Sequence, residues 1–436
     1  MVDNNEISLK KVSKNKRKTR KIALLFLLTG ITAVLLVVET YAWFVGVTTI
    51  AVQDFEIGVS SEVDFEMSLD GKTWDTKLTI SEDTITTKAY ASNTNKWLAA
   101  DTDADSVGLI PLSTAGVADV KNGGRLKLFG KSSMTATGGG YRLISDRIDN
   151  STTEGDGYLV FDLFIRNGTG TDYIKTYNRA EDEAVYLKRN SVVTVSKAGG
   201  DTEDYGLANS VRVAFVQLGR IASAGASDGA AAEIKCNESD AEGGSTSLCT
   251  QPGNVVVWEP NEDQHHEGLV TYFNNVCKTK AAASEPLNGF VYGGTEGTTK
   301  CTPVSAGSSN TALDKNSVVP TYVVNSKITS EDNVDVYDGL NGYNSTIGTG
   351  DTAKLVNLDT FTDAEKNTEG AARVPFFYLA PNSITKIRVY IYLEGQDVDN
   401  YDLISNGNKV KINFGFTKDQ WDISGQDKEP VAGEKA

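Results

Sequence analysis

At 436 residues the chain is long enough for two or three units of about 150 residues, or for one large all-β body. Hydrophobic residues make up 39% and charged residues 23%, and 41 glycines favour strands joined by many turns over a helical build. The formal net charge of −16 hides an asymmetry: Lys10, Lys11, Lys14, Lys16, Arg17, Lys18, Arg20 and Lys21 crowd the N-terminus, and the residues after 42 hold 34 Lys+Arg against 55 Asp+Glu, a net of −21. A body so acidic repels phosphate polyanions, which argues against nucleic-acid binding.

In chain order, the basic segment 1–21 is followed by IALLFLLTGITAVLLVV (22–38), which has no charge. Basic residues ahead of an apolar run hold the N-terminus in the cytoplasm and send the downstream chain outward, so the protein is expected at the cell surface or outside the cell. The run is long for a signal core and short for a span of about 20 residues, so 22–42 is a hydrophobic signal or anchor helix that contacts the membrane through 22–38. Small residues at Thr40 and Ala42 favour cleavage by a signal peptidase between Ala42 and Trp43. The alternative is an uncleaved anchor with Tyr41, Trp43 and Phe44 at the interface.

After residue 44 the dominant pattern is alternation of period two. Residues 45–59 place Phe55, Ile57 and Val59 on one face, and 63–69 end at an Asp70-Gly71 turn signal. Asp101, Asp103 and Asp105 alternate like the first ligands of a calcium loop, although Ser106 and Leu112 stand where an EF-hand needs glycine and glutamate. They are the candidate metal ligands, with calcium the cation they suit, and a solvated turn is the alternative. Short strands are expected at 126–129, 141–145, 184–187 and 191–196. In 157–166, Leu159, Phe161, Leu163 and Ile165 face inward and Asp162 and Arg166 outward; in 209–218, Val211, Val213 and Phe215 face inward and Arg212 outward.

From about 219 to 319 the composition shifts to small and acidic residues, which reads as an insertion. It contains Gly225-Ala226-Ser227-Asp228-Gly229, a nucleophile-elbow pattern without the helix such an elbow requires. The only histidines, His265 and His266, are read as part of a solvated acidic loop. Cys236, Cys249, Cys277 and Cys301 also fall here, and an oxidising exterior predicts two disulfides. Short spacing favours Cys236 with Cys249 and Cys277 with Cys301, against a zinc site or four reduced thiols. Strands resume near 320. In 384–394, Ile387, Val389, Ile391 and Leu393 oppose Lys386, Arg388, Tyr390 and Tyr392, and Val410, Ile412, Phe414 and Phe416 close the series. Asp397 and Asp399 faintly repeat the calcium pattern.

Alternation this regular predicts an all-β, antiparallel β-sandwich with one wet face, spanning 43–420 and followed by a polar tail, 421–436, without a wall-sorting signal. Two consecutive domains joined near 220 are the alternative. Asn150, Asn167, Asn237 and Asn344 head sequons, which mark surface loops in a host that glycosylates them.

The junction ETYAWF, with the lysine-rich stretch and apolar run before it and VTTIAVQDFEIGV and DFEMSLDGKTW after it, resembles the TasA/camelysin group of Gram-positive surface proteins. IRVYIYLEGQDVDN and KVKINFGF resemble the closing strands of surface proteins with such signals. The resemblance implies cutting by a SipW-type peptidase, a jelly-roll-like body and a role in matrix fibres or at the surface. Its camelysin branch implies proteolysis, for which no zinc motif is present.

These readings converge on an exported structural protein without catalytic activity or cofactor that associates with itself. A segment such as 43–59, once freed by cleavage, either lies in its own sheet or adds to a neighbour's sheet edge to build a fibre. An adhesive or ligand-binding module, with the insertion supplying the loops, and a secreted hydrolase are the alternatives.

Overall fold

The computed structural model describes residues 54–270 and 355–418, together with the strands at 322–324 and 333–338; the longest stretches left out of the two main parts are 99–107, 198–205, 238–245, 363–372 and 400–407. The regular structure of the described residues is almost all β-strand, with very few helical turns. The chain enters through β1 (Asp54–Ser61), β2 (Phe65–Ser68) and β3 (Lys77–Ile80). The turn after β2 forms as its sequence dictates: Gly71 takes φ +70°, and Asp70 Oδ1 accepts the N–H groups of Lys72 and Thr73 at 2.8 and 2.7 Å. A five-residue helix, Glu82–Thr86, starts on a Ser81 capping box.

Next come β4 (Pro111–Asp119), β5 (Arg125–Thr137), β6 (Gly140–Arg147), β7 (Leu159–Asn167), β8 (Glu183–Leu187), β9 (Val192–Lys197) and, after a single turn of helix at Leu207–Ser210, β10 (Val211–Ala222). Thereafter β11 (Thr246–Ser247), β12 (Val255–Glu259), β13 (Tyr322–Val324), β14 (Asn333–Asp338), β15 (Leu355–Asn357), β16 (Phe361–Thr362) and β17 (Phe377–Leu379) lead to the long β18 (Ser383–Glu394) and to β19 (Asn408–Thr417). β10 runs four residues into the stretch of shifted composition, and β11 and β12 pair with it, so this part of 219–319 is woven into the sheet. No helix among the described residues is long and apolar enough to cross a membrane; segment 22–42 lies outside them.

Eleven strands form one sheet, centred on β18 between β7 and β10 and extended through β4, β5, β6 and β14 on one side and β12 and β16 on the other. Six form a second, in the order β17-β8-β19-β1-β3, with β9 also on β19. The central pairs are antiparallel, as expected, but β1 with β19, β4 with β18 and β12 with β16 run parallel. A single apolar cluster draws on both sheets: Leu159, Phe161, Leu163 and Ile165 of β7 and Ile387, Val389, Ile391 and Leu393 of β18 pack with Ile57, Val59, Val410, Ile412 and Phe414. Phe215 lies edge-on to Phe376 and Phe414 at 4.8 and 5.3 Å between centroids. Each such side chain contributes roughly 1.5–3 kcal/mol by leaving water.

The opposite face of the large sheet is not wet. Its residues Val160, Ala214, Val216, Tyr390 and Tyr392 pack against Leu112, Leu126 and Leu128 of β4 and β5, because the sheet curls over its own centre. Lower down, Tyr90, Ala231 and Ile234 cover Phe164 and Ile384. Asp162, Arg212, Lys386 and Arg388, which alternation assigns to solvent, are therefore buried and must be neutralised from within.

Candidate functional site

Among the sites singled out in the sequence, the structure forms the Cys236–Cys249 disulfide, with Cα atoms 5.6 Å apart. Cys277 and Cys301, the candidate ligands Asp101, Asp103 and Asp105, and the cleavage pair Ala42 and Trp43 lie outside the described residues. Ser227 is exposed in the loop after β10, and a four-residue 3₁₀ turn, Ala230–Glu233, follows it in place of the helix an elbow needs. His265 is not in a solvated loop: it is buried, with Nδ1 2.8 Å from Asp399 Oδ2. Asp397 is drawn into an ion pair with Arg212 and Asp399 into a hydrogen bond with His265, and no group of three metal-ligating side chains occurs among the described residues. Asn150 and Asn167 are buried as well, which removes two of the four sequons from the surface; Asn237 is exposed and Asn344 lies outside the described residues.

The feature with most bearing on assembly is the seat of β1. All eight residues, Asp54 to Ser61, stand in register with Lys409 to Phe416 of β19, and Ile57–Ser60 pair on the other side with Lys77–Ile80 of β3. The strand thus completes the small sheet from within while belonging to the N-terminal end of the body. Ile57 and Val59 are fully buried and supply its apolar face; the side chain of Phe55 lies outside the described residues. Two glycines let the strands close up. A Cβ on Gly415 would meet the Ser60 carbonyl oxygen at 2.6 Å, and one on Gly58 would meet Asn413 Oδ1 at 2.4 Å. At the exit, Ser61 Oγ donates to the Phe65 carbonyl at 2.6 Å and its N–H to Thr76 O at 2.8 Å, turning the chain out of the small sheet toward β2.

Two buried charge networks stiffen the large sheet behind this seat. In the first, Arg388 donates to both oxygens of Asp162 at 2.8 and 3.2 Å, Tyr90 Oη donates to Oδ2 at 2.5 Å, and Lys386 Nζ lies 3.6 Å away. Burial alone would raise the Asp162 carboxyl, but Arg388 and Lys386 more than offset it and hold it well below the usual carboxylate range. Burial likewise pushes the Lys386 ammonium down, with Asp162 opposing the shift. Next to it, burial pushes the Glu154 carboxyl up, only partly countered by Arg388 and by the hydroxyl of Tyr158 at 2.8 Å. The second network joins Arg212 to Glu259 and Asp397, and Glu259 accepts from Thr360 Oγ1 at 2.7 Å. Each carboxylate here is held by a fixed cation or hydroxyl, an arrangement suited to tying strands and loops together.

Alternation at Phe55, Ile57 and Val59 signalled the strand, but nothing local signalled its partners β19 and β3 or the networks, since their members are brought together from distant segments. Protein-family profiles, characterised proteins and solved structures all yield no match to the chain.

Proposed function

We propose that this is an exported structural protein of the cell surface or extracellular matrix, with a jelly-roll-like β-sandwich body spanning 43–420, whose copies join by exchanging the N-terminal strand. The observation that carries this reading is the position of β1, a strand held on both sides by in-register backbone pairing to β19 and β3 and separated by only residues 43–53 from the apolar segment 22–42. A strand seated in this way makes the same contacts whether it comes from its own chain or from a neighbour. Exchange therefore needs no new interface, only release, and a head-to-tail series of exchanges propagates a filament. The shared core of the two sheets supports the sandwich, and the basic, apolar N-terminus supports export with the N-terminus inside. Cleavage between Ala42 and Trp43 frees the strand to swap, whereas an uncleaved anchor keeps it in its own sheet.

The test compares protein beginning at Trp43 with protein lacking 43–61, by sedimentation and electron microscopy across salt and calcium concentrations. The first should form filaments; the second should stay monomeric and bind a synthetic peptide of residues 43–61. If both stay monomeric under every condition, or both form the same filaments, strand exchange is refuted. N-terminal sequencing of extracellular material checks the cleavage step, and an intact Met1 on all of it would establish the anchor instead.

A further inference from the structure

At the junction of the two sheets, Lys418 follows β19, Asn167 ends β7 and Glu183 begins β8. Lys418 Nζ lies 3.0 Å from Asn167 Oδ1 and 3.0 Å from Glu183 Oε2, and the same Oε2 accepts from Asn167 Nδ2 at 2.5 Å. One carboxylate oxygen thus touches both an amine and the amide nitrogen that the amine would displace. Asn167 is fully buried, its Nδ2 also donating to the Ala380 carbonyl at 3.0 Å, and the Lys418 ammonium sits over the Phe65 ring, 4.7 Å from its centroid.

We propose that Lys418 and Asn167 form an intramolecular amide cross-link, with Glu183 as the catalytic proton carrier. Glu183 takes a proton from the Lys418 ammonium, and the freed lone pair adds to the Asn167 side-chain carbonyl carbon. Charge collects on Oδ1, which already accepts from the Thr169 N–H at 3.3 Å and lies 2.8 Å from the Thr169 hydroxyl, whose proton can turn from Glu183 Oε2 to Oδ1 as that charge develops. The tetrahedral carbon collapses with cleavage of its bond to Nδ2. One C–N bond forms and one breaks, two protons pass from the lysine nitrogen to the leaving nitrogen through Oε2, and ammonia departs as ammonium. Charge is conserved and neither oxidant nor energy donor is required.

Placement favours the reaction over a plain ion pair. The reacting groups are already within contact distance, and holding them there supplies most of what a bimolecular aminolysis lacks. Burial opposes ionisation of Glu183, but hydrogen bonds from Thr169 and Asn167, with the Lys418 charge, hold its carboxyl below the usual range and leave it ready to accept a proton. Its side chain is 32% exposed, an exit for ammonia. The product ties the end of the last strand of the small sheet to β7 of the large sheet across a sequence separation of 251.

The experiment is peptide mapping by tandem mass spectrometry of the purified folded protein after incubation at neutral pH. The expected result is a branched peptide joining Asn167 and Lys418, lighter than its two parts by one ammonia, with no tryptic cut after Lys418. Glu183→Ala and Lys418→Arg, checked for a folded circular dichroism spectrum, should give linear peptides at full mass and lower melting temperatures. Linear peptides with unmodified Lys418 from the wild type would overturn the proposal, as would a cross-link from Lys418 to Glu183 with loss of water. Because the wild-type mass decides the matter, a variant that fails to fold leaves the test intact.

Discussion

Replacing Asp162 by Asn keeps the shape of the side chain and removes one negative charge from the centre of the large sheet. In the wild type that charge is fully buried, takes two hydrogen bonds from Arg388 and one from Tyr90, and faces Lys386 at 3.6 Å. In the variant, two buried cations face a neutral amide. Removing one member of a buried pair costs on the order of 3–5 kcal/mol, because the remaining charge has lost both water and its partner. Extending the size trend of melting behaviour to a body this large, about 2 °C per kcal/mol, lowers the melting temperature by about 6–10 °C. The assay is urea unfolding followed by tryptophan fluorescence and far-ultraviolet circular dichroism, with Asp162→Leu/Arg388→Met as a companion. Removing Arg388 as well should recover part of the loss, since apolar replacements of buried pairs are often neutral, while Lys386 still lacks its anion and Glu154 loses a cation. A loss below about 1 kcal/mol for Asp162→Asn would refute the reasoning, because that is the value of a solvated surface pair.

The same network predicts a pH dependence. Asp162 titrates lower in the folded chain than in the unfolded one, so its contribution is complete above the unfolded carboxylate range, about 4, and is lost as pH falls through its folded value; the penalty of Asp162→Asn should shrink in acid urea titrations. Glu154, raised by burial, has the opposite sign: its contribution is complete in acid and declines as pH rises through its folded value, so the penalty of Glu154→Gln should be largest in acid and shrink toward neutral pH. Removing the Cys236–Cys249 bond by double serine substitution should cost about 3 kcal/mol, the chain-entropy value for a loop of about 15 residues, and alkylation of the native unreduced protein should label neither cysteine. Gly415→Ala forces a methyl group into the Ser60 carbonyl and should cost about 1–3 kcal/mol in denaturant unfolding, with β1 amides losing hydrogen-exchange protection first.

Much of the strand pattern was legible because it depends on neighbours in sequence. Leu159 to Ile165 and Ile387 to Leu393 alternate cleanly, and both sets face the core shared by the sheets. What alternation does not encode is whether the second face is covered. Lys386, Arg388 and Arg212 occupy polar positions, and only the curl of β4 and β5 and the segments carrying Tyr90 and Ile234 turn those positions into interior ones. Their counter-charges come from Asp162, Glu259 and Asp397, far away along the chain. The burial of His265 was illegible for the same reason, since its partner Asp399 is 134 positions away. The Cys236–Cys249 pairing was readable because short spacing is itself a local property. Asn167-Gly168-Thr169 is instructive: the triplet reads as a glycan acceptor, whereas in the fold Thr169 turns back on the Asn167 amide and Glu183 and Lys418 close over it.

The parallel pairing of β1 with β19 also determines how the body bears tension. The N-terminal end of β1 and the C-terminal end of β19 point in opposite directions along the same pair of strands, whose eight matched residues extend about 26 Å at roughly 3.3 Å per residue. A pull between the N-terminal end of β1 and the C-terminal end of β19 therefore slides one strand along the other. The backbone hydrogen bonds between them are strained together, side by side, whereas an antiparallel hairpin pulled from its open end would lose them one at a time. Rupture then requires simultaneous failure of the whole pair, which gives a protein fixed at one end and loaded at the other a high yield force from backbone geometry alone.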